Sequence, residues 1–218
     1  MSRHFVPYLY VNFGTEIITM LDKLSSVTEV LIFSGVIRNF ILDKRGSRDL
    51  DIVLTDKVAI EEFFDPSLLR RNSFGGYKIH YNGLTIDLWY LEETWDLKDK
   101  MVLPFDLMSY IPSTAFFNFS SVVYNYTSKK FIASKDFLKF IKTKEMDIVN
   151  ERNINKHLCI VNTFYYRDTY SLKVSTRLAK YVKKYFAVLP DKYDAVQIKH
   201  WGFVRYSKGI LSNMVNNL

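Results

Sequence analysis

The stretch Phe33-Ser34-Gly35-Val36-Ile37-Arg38-Asn39 is followed a short way on by Arg48-Asp49-Leu50-Asp51-Ile52-Val53-Leu54. The apolar end of the second stretch predicts a strand. Because side chains alternate along a strand, Asp49 and Asp51 project from the same face. Two neighbouring carboxylates repel each other unless a cation lies between them, and oxygen ligands in a phosphate site point to Mg²⁺. The pattern therefore predicts a carboxylate pair that binds a divalent metal.

A turn of small residues precedes this pair. Residues 29–33 form a β-rich run that ends at Ser34 and Gly35, and residues 36–42 then have a helical pattern. Such a turn exposes free backbone N–H groups at the start of the helix, which suits the phosphates of a triphosphate. We therefore expect Ser34 and Gly35 to hold the β- and γ-phosphates of a nucleotide.

Together, the turn, the helix and the paired carboxylates resemble the DNA polymerase β-like nucleotidyltransferase superfamily. The order Ser-Gly-Val-Ile-Arg-Asn and then Arg-Asp-Leu-Asp-Ile-Val is most similar to the head domain of bacterial poly(A) polymerases and tRNA CCA-adding enzymes, in a minimal form. Their pattern is Gly-Gly-x-Val-Arg-Asp followed by Asp-x-Asp. Ser34 replaces the first glycine, and Asn39 replaces an aspartate. The alternative interpretation of the second stretch is a solvated strand end beside Arg48.

The resemblance implies an α+β fold, with a mixed β-sheet flanked by helices and a helical neck-like region after it. We expect a head domain over residues 1–144 and the neck-like region over residues 145–218. The implied enzyme transfers a nucleoside monophosphate from an NTP or dNTP to an acceptor hydroxyl and releases pyrophosphate. Two Mg²⁺ or Mn²⁺ ions are the implied cofactors. Arg38 and Arg48 would lie near the triphosphate, although a structural ion pair remains an alternative role for Arg38.

The third carboxylate of the site is predicted to be Asp87. Residues 77–81 and 84–90 flank Asn82-Gly83, which is typical of a β-hairpin. Within the second of these strands Asp87 has apolar and aromatic neighbours, where an unpaired carboxylate costs on the order of several kcal/mol. In the superfamily a third carboxylate comes from a strand beside the Asp-x-Asp strand. The resemblance thus places Asp87 with the catalytic, metal-binding aspartates; the alternative is a structural partner for Arg48, Arg38 or Lys78.

Residues 113–125 resemble a further motif of these enzymes, Arg-Arg-Asp-Phe-Thr-Ile-Asn-Ala. Only Asn118 and the apolar residues after it match, and the resemblance assigns Asn118 to nucleotide binding. Residues 112–114 stand where the family has Arg-Arg-Asp, so the sugar and triphosphate contacts of that triplet are not carried over. Phe116 and Phe117 are expected to be core residues rather than stacking platforms for bases.

Other elements follow from local patterns. The sequence predicts a helix over residues 16–24 that packs on the sheet, a short helix over 57–64, a hairpin between the strand that ends near Tyr124 and residues 130–133, and a helix over 135–141 capped by Ser134.

From about residue 145 the apolar residues have helical spacing. The Glu-Asp-x-x-Arg motif by which CCA-adding enzymes select bases is not recognisable there, so CCA addition is disfavoured. A group of basic residues in this region predicts a surface that binds the acceptor; a merely solvated helix face is the alternative. The group consists of Arg177, Lys180, Lys183 and Lys184.

Composition sets the outer bounds. The 218 residues, 48% of them hydrophobic, can bury a good core. A net charge of +7 and an aromatic content of 16% suit a polyanionic partner whose bases can stack. The single cysteine, Cys159, has apolar neighbours, which predicts a buried thiol in a reducing compartment. No signal peptide or membrane span is recognisable, so we expect a cytoplasmic protein without membrane contact.

The resemblance leaves four functions open. The first is template-independent transfer to a polynucleotide or oligonucleotide by an ATP- and RNA-binding enzyme. The second is nucleotidylation of a protein or small molecule, as in toxin or defence enzymes. A catalytically inactive nucleic-acid-binding module is the third, and the intact Asp49, Asp51 and Asp87 argue against it. In the fourth, a protein partner binds the C-terminal helices and regulates the enzyme.

Overall fold

The computed structural model describes residues 2–33, 35–44, 46–47, 49–72, 75–81, 83–97 and 106–218. The helices within these residues are α1 Ser2–Ser25, α2 Gly35–Ile41, α3 Leu107–Tyr110, α4 Lys135–Thr143, α5 Lys156–Tyr170, α6 Thr176–Val188, α7 Tyr193–Trp201 and α8 Lys208–Asn216. The strands are β1 Val30–Phe33, β2 Asp49–Leu54, β3 Leu69–Arg71, β4 Tyr77–Tyr81, β5 Leu84–Tyr90, β6 Val122–Asn125, β7 Lys130–Ala133, β8 Glu145–Met146 and β9 Lys173–Val174.

Seven of the described strands form one sheet, in the order β3-β4-β5-β2-β1-β6-β7. β2 and β5 run parallel, and the other neighbouring pairs of described strands in this sheet are antiparallel. The predicted hairpin is present, since Tyr81 pairs with Leu84 and Gly83 has a φ of 76°, which glycine adopts readily. Asn82 lies outside the described residues. The expected fold class, a mixed sheet flanked by helices and followed by a helical region, is confirmed.

One face of the sheet is closed by the first two helices. Leu50 and Ile52 of β2 are buried in the same core as Leu21 of α1 and Ile37 of α2. Each such side chain contributes about 1.5–3 kcal/mol when it leaves water. Alternation along β2 therefore turns its aspartates to the opposite face, which is where a site can open.

A second core joins the C-terminal helices to the segment before β6. Phe116, Phe117 and Phe119 are buried with Phe164 of α5 and Leu178 of α6. The expectation that Phe116 and Phe117 are core residues is confirmed. Because aromatic side chains bury large areas, this cluster fixes the C-terminal helices against the segment that precedes β6. The division at residue 144 remains a prediction.

The region after residue 145 is helical as expected, but it also contributes strand residues. β8 pairs with β9 in parallel, and Phe117 forms an isolated bridge with Ile148. Pairs only two residues long leave no alternating pattern in the sequence, so periodicity does not detect them.

The N-terminal helix is longer than predicted. The expected helix over residues 16–24 is present, but α1 begins at Ser2 and contains a break at Gly14, where φ is 78° and ψ is 177°. Pro7 and Gly14 disfavour a helix in isolation, whereas the complete burial of Phe5 and Leu9 supplies packing that outweighs this preference. The helix predicted over residues 57–64 is wrong: only Ile60–Glu62 form a 3₁₀ turn.

Smaller expectations are confirmed. β6 and β7 form the predicted hairpin, and the hydroxyl of Ser134 accepts a hydrogen bond of 3.1 Å from the Phe137 N–H at the start of α4. Cys159 is buried, and burial raises the pKa of its thiol to about 12. Among the described helices, none combines the length and apolar character that crossing a bilayer requires.

Candidate active site

Two neighbouring parallel strands bring the predicted carboxylates together. Asp51 of β2 is the register partner of Asp87 of β5, and Asp49 pairs with Thr85 two residues earlier. Parallel neighbours lie about 4.8 Å apart, and register partners project from the same face. All three aspartates therefore share one face of the sheet, as the sequence predicted, and this is the face that α1 and α2 leave uncovered.

The central carboxylate is electrostatically strained. Burial, together with the negative charges of Asp87 and Asp49, raises the pKa of Asp51 to about 7, and the cations Arg38 and Lys78 offset this rise only in part. Near neutral pH, the neighbouring cations therefore do not fully compensate the negative charge of the three carboxylates. A cation placed against it would relieve this repulsion.

Asp87 already has a cationic partner. Lys78 of β4 lies opposite Asp87 in the sheet, and its Nζ is 3.0 Å from Asp87 Oδ2. This contact is one of the structural alternatives that the sequence left open for Asp87. Gly76 allows β4 to approach β5 here, since a Cβ at that position would overlap the carbonyl oxygen of Leu88.

The aspartates lie in a cavity of about 590 Å³ between the sheet and the C-terminal helices. The sheet side of this nucleotide-sized cavity, named here the main cavity, is formed by the aspartates and by residues of α2 and the loop after it. Its other side is mostly aromatic. The lining residues are Gly35, Arg38, Asn39, Gly46, Ser47, Asp49, Asp51 and Asp87 on the first side and Tyr165, Tyr166, Tyr170, His200 and Trp201 on the second.

Arg38 connects the two sides of the main cavity. Its Nε donates to the Tyr170 hydroxyl at 3.1 Å and its Nη1 to the Tyr166 hydroxyl at 3.4 Å. The guanidinium carbon also lies 4.8 Å from the centre of the Tyr166 ring, within cation–π range. Tyr170 in turn donates to Asn39 Oδ1 at 2.8 Å. Within the described chain Arg38 thus takes part in a tyrosine network, and its charge also lowers the pKa of Asp51.

The other predicted nucleotide-binding residues fall in three groups. Ser34 and Arg48 lie outside the described residues. Gly35 lines the main cavity, and a Cβ built on it would be 3.8 Å from Asp51 Oδ2, so the glycine keeps this space open. Asn118 is buried elsewhere: its Nδ2 donates to the Glu145 carbonyl at 2.9 Å, and its Oδ1 accepts from the Asp147 N–H at 3.0 Å. That placement gives Asn118 a structural role and lends no support to nucleotide binding.

Three of the four predicted acceptor-binding residues lie together. Arg177, Lys180 and Lys184 line a groove of about 520 Å³ on α6, named here the basic groove. Arg177 also pairs with Glu151, with Nη2 and Oε1 3.0 Å apart. Lys183 faces away from the groove, since its Nζ donates to the carbonyl of Leu218 at 3.2 Å.

Sequence reasoning did not identify the aromatic side of the main cavity. None of its residues, Tyr165, Tyr166, Tyr170, His200 and Trp201, belongs to a motif that predicts a site. The three tyrosines of α5 are a weak signal for a binding surface, because several aromatic residues in one helix are also typical of a hydrophobic core. Their approach to Arg38 spans about 130 residues of chain, since the Arg38–Tyr170 contact has a separation of 132, and no local pattern encodes such a contact.

The aspartates are ligands of the type that a hard divalent cation prefers, but their side chains are not gathered around one point in the described chain. Mg²⁺ and Mn²⁺ prefer carboxylate oxygens, and Asp49, Asp51 and Asp87 supply them on one face. Over the described part of the chain, no three His, Cys, Asp or Glu side chains converge closely enough to form a metal site. At Asp87 the ammonium group of Lys78 stands beside the carboxylate instead.

The fold is similar to that of several solved structures. A CCA-adding enzyme with CTP shares 12% sequence identity at a TM-score of 0.70, covering 97% of this chain and 54% of that one. The Thermotoga maritima CCA-adding enzyme complexed with tRNA has a TM-score of 0.67 and 12% identity, covering 97% and 53%. A tRNA nucleotidyltransferase complexed with a primer tRNA and an incoming ATP analogue has a TM-score of 0.61 and 16% identity, covering 81% and 55%.

The chain spans about half the length of the structures it matches. No family profile matches the sequence, and no curated protein matches it. At this level of identity the likeness establishes the fold alone. The resemblance inferred from the sequence is therefore confirmed for the fold, which this chain shares with these CCA-adding enzyme and tRNA nucleotidyltransferase structures.

Proposed function

We propose that this protein is a nucleotidyltransferase that transfers a nucleoside monophosphate from an NTP or dNTP to an acceptor hydroxyl, with release of pyrophosphate. The observation that carries the proposal is the register pairing of Asp51 with Asp87, beside Asp49, in a cavity large enough for a nucleotide. A polynucleotide acceptor is favoured by the net charge of +7. The similar structures include complexes with ATP, CTP and tRNA, which supports the same substrate classes.

Each side of the main cavity would have its own task. Arg38 would neutralise negative charge on the phosphates, and the open space at Gly35 would let them approach the start of α2. The aromatic side chains of α5 would pack against the base. Asp49, Asp51 and Asp87 would hold Mg²⁺ or Mn²⁺, up to two ions; when bound, such ions acidify the acceptor hydroxyl and stabilise the leaving pyrophosphate.

The function is tested by transfer of label from α-³²P-labelled nucleotides. Each NTP and dNTP is incubated with the protein, Mg²⁺ or Mn²⁺, and an RNA oligonucleotide, and label is then sought in the RNA, in protein and in small products. Label in RNA supports the proposal. Label in protein or in a small product would instead favour nucleotidylation of the kind found in toxin or defence enzymes. If no nucleotide transfers label, a catalytically inactive nucleic-acid-binding module is favoured.

Removing the ammonium group of Lys78 should tighten metal binding. In Lys78→Met, Asp87 loses a partner 3.0 Å away and becomes available to a metal ion. An exposed ion pair is worth up to about 1 kcal/mol, so Mn²⁺ affinity measured by calorimetry without nucleotide should rise up to about fivefold. The matched control is Lys57→Met, because Lys57 pairs with Glu92 at 2.7 Å and does not line either cavity at the aspartates. Weaker Mn²⁺ binding in Lys78→Met would instead make Lys78 a residue that orients Asp87.

The basic groove makes a separate prediction about the acceptor. The double variant Lys180→Gln/Lys184→Gln should bind a single-stranded RNA more weakly. It loses two phosphate contacts, so fewer counterions are released when the RNA binds. The slope of log affinity against log salt should fall by about 1.4. Lys183→Gln is the control: it removes one positive charge, half the change of the double variant, from the same helix but outside the groove. Equal salt slopes for the unchanged protein, the double variant and Lys183→Gln would show that a polynucleotide does not bind in this groove.

A further inference from the structure

The carboxylates separate two cavities. Asp51 and Asp87 line the main cavity and also a second cavity of about 360 Å³ on the side of β4 and β5. Transfer between two substrates needs space on both sides of the reacting groups. The second cavity, named here the side cavity, is also lined by Asn72, Lys78, Trp89, Glu93 and Trp95.

Glu93 in the side cavity has an unsatisfied acceptor. Its Oε2 is buried and has no hydrogen-bond partner within the described chain. The ammonium group of Lys57 lies on the other side of this carboxylate, with its Nζ 3.8 Å from Oε1. A buried acceptor without a donor is costly, so a ligand that brings an N–H or O–H to Oε2 would be favoured there.

Two tryptophans give the side cavity aromatic walls. Trp89 Nε1 donates to Thr94 Oγ1 at 3.2 Å, so its polar group is already used and its ring offers apolar surface. Phe33 packs edge-on against this ring with the centroids 6.1 Å apart, which helps to fix its orientation. Together with Trp95, this cavity suits a flat ring that carries a hydrogen-bond donor.

The charges of the side cavity select against phosphate. Among the described lining residues, three carboxylates, those of Asp51, Asp87 and Glu93, face one ammonium group, that of Lys78, which is already paired with Asp87. A phosphate inside would meet net negative charge, whereas an uncharged nucleoside would not. A volume of about 360 Å³ is also close to the lower end of ligand pockets, which suits one nucleoside rather than a longer segment.

We infer that the side cavity binds the terminal nucleoside of the acceptor, with its base against Trp89 and Trp95 and a base amino group donating to Glu93 Oε2. This inference rests on the proposed function. It places the acceptor hydroxyl next to Asp87, on the opposite side of the carboxylates from the triphosphate. It also assigns a substrate class, since adenine and cytosine carry an exocyclic amino group at the Watson–Crick edge and uracil does not.

The test measures nucleoside binding to the full chain without metal or triphosphate. Adenosine, cytidine and uridine are titrated by calorimetry, and adenosine or cytidine should bind at least about fivefold more tightly than uridine. Glu93→Gln should remove that preference. Trp95→Leu should lower the affinity for all three nucleosides, whereas Trp95→Phe should leave these affinities unchanged. Glu92→Gln is the matched control: its neighbouring carboxylate pairs with Lys57 at 2.7 Å and does not line the cavity.

Kinetics separate this inference from the proposed function. In Glu93→Gln the KM for the acceptor should rise, while the KM for the triphosphate and kcat at saturating acceptor stay near those of the unchanged protein. Equal binding of adenosine and uridine, or an unchanged preference in Glu93→Gln, would overturn the inference even if label transfer is observed. If the nucleosides bind as expected but no label is transferred, the proposed function fails and the nucleoside site stands.

Discussion

Asp51→Asn should lower nucleotidyl transfer on the order of 10³-fold or more, because it removes a charge from the centre of the site where the transition state develops. The same substitution should stabilise the protein near neutral pH. Asp51 lies between Asp87 and Asp49, and its pKa of about 7 results from burial and from repulsion by these neighbours. A variant that loses activity and gains stability would identify Asp51 as a residue kept for function at the expense of the fold.

The pH dependence follows from the sign of this pKa change. An unfolded aspartate titrates at about 3.9, so between pH of about 4 and about 7 the folded protein binds more protons at Asp51 than the unfolded chain does. The stability of the unchanged protein therefore falls as the pH rises through this window. Asp51→Asn lacks this titration and should therefore be more stable at pH 8. We expect a gain on the order of 2 kcal/mol, which is less than the full pKa change implies because solvent screens part of the repulsion.

Urea unfolding at several pH values measures this difference. The control is Asp56→Ala, two residues beyond the other end of β2, where the carboxylate accepts hydrogen bonds from Thr28 at 3.0 Å and Thr55 at 2.8 Å. That substitution should lower the free energy of unfolding, which is the opposite sign. Equal transfer rates for Asp51→Asn and the unchanged protein would remove Asp51 from the catalytic group.

The part of the site that sequence predicted is the part that local rules determine. A period of two residues places Asp49 and Asp51 on one face, and the Asn82-Gly83 turn brings Asp87 back along the sheet. Both rules act over a few residues. The pairing of β2 with β5 needed the resemblance as well, because nothing in either strand specifies its neighbour.

The rest depends on contacts between distant residues. Arg38 reaches Tyr166 and Tyr170 only when the C-terminal helices pack beside the sheet. The N-terminal part of α1 was missed for the same reason. Its sequence has poor helix formers, and tertiary packing overrides such preferences.

Arg38→Ala should produce two losses at once. The hydroxyls of Tyr166 and Tyr170 lose a charged donor, and the cation–π contact with Tyr166 disappears, so the free energy of unfolding should fall by about 3 kcal/mol. Triphosphate affinity should also fall, by about tenfold or more, because the cationic group that lines the main cavity beside Asp51 is gone. Urea unfolding and calorimetry with a non-hydrolysable triphosphate measure the two effects.

Tyr170→Phe and Arg38→Lys separate the structural role of Arg38 from its role in binding. Tyr170→Phe keeps the ring but removes the hydroxyl that contacts Arg38 at 3.1 Å and Asn39 at 2.8 Å, so it should lower stability with little change in triphosphate affinity. Arg38→Lys keeps the charge but loses the planar fork, and should weaken both properties. Were the two variants to lose stability equally and bind triphosphate as tightly as the unchanged protein, Arg38 would be a link between the sheet and the C-terminal helices and not a phosphate ligand.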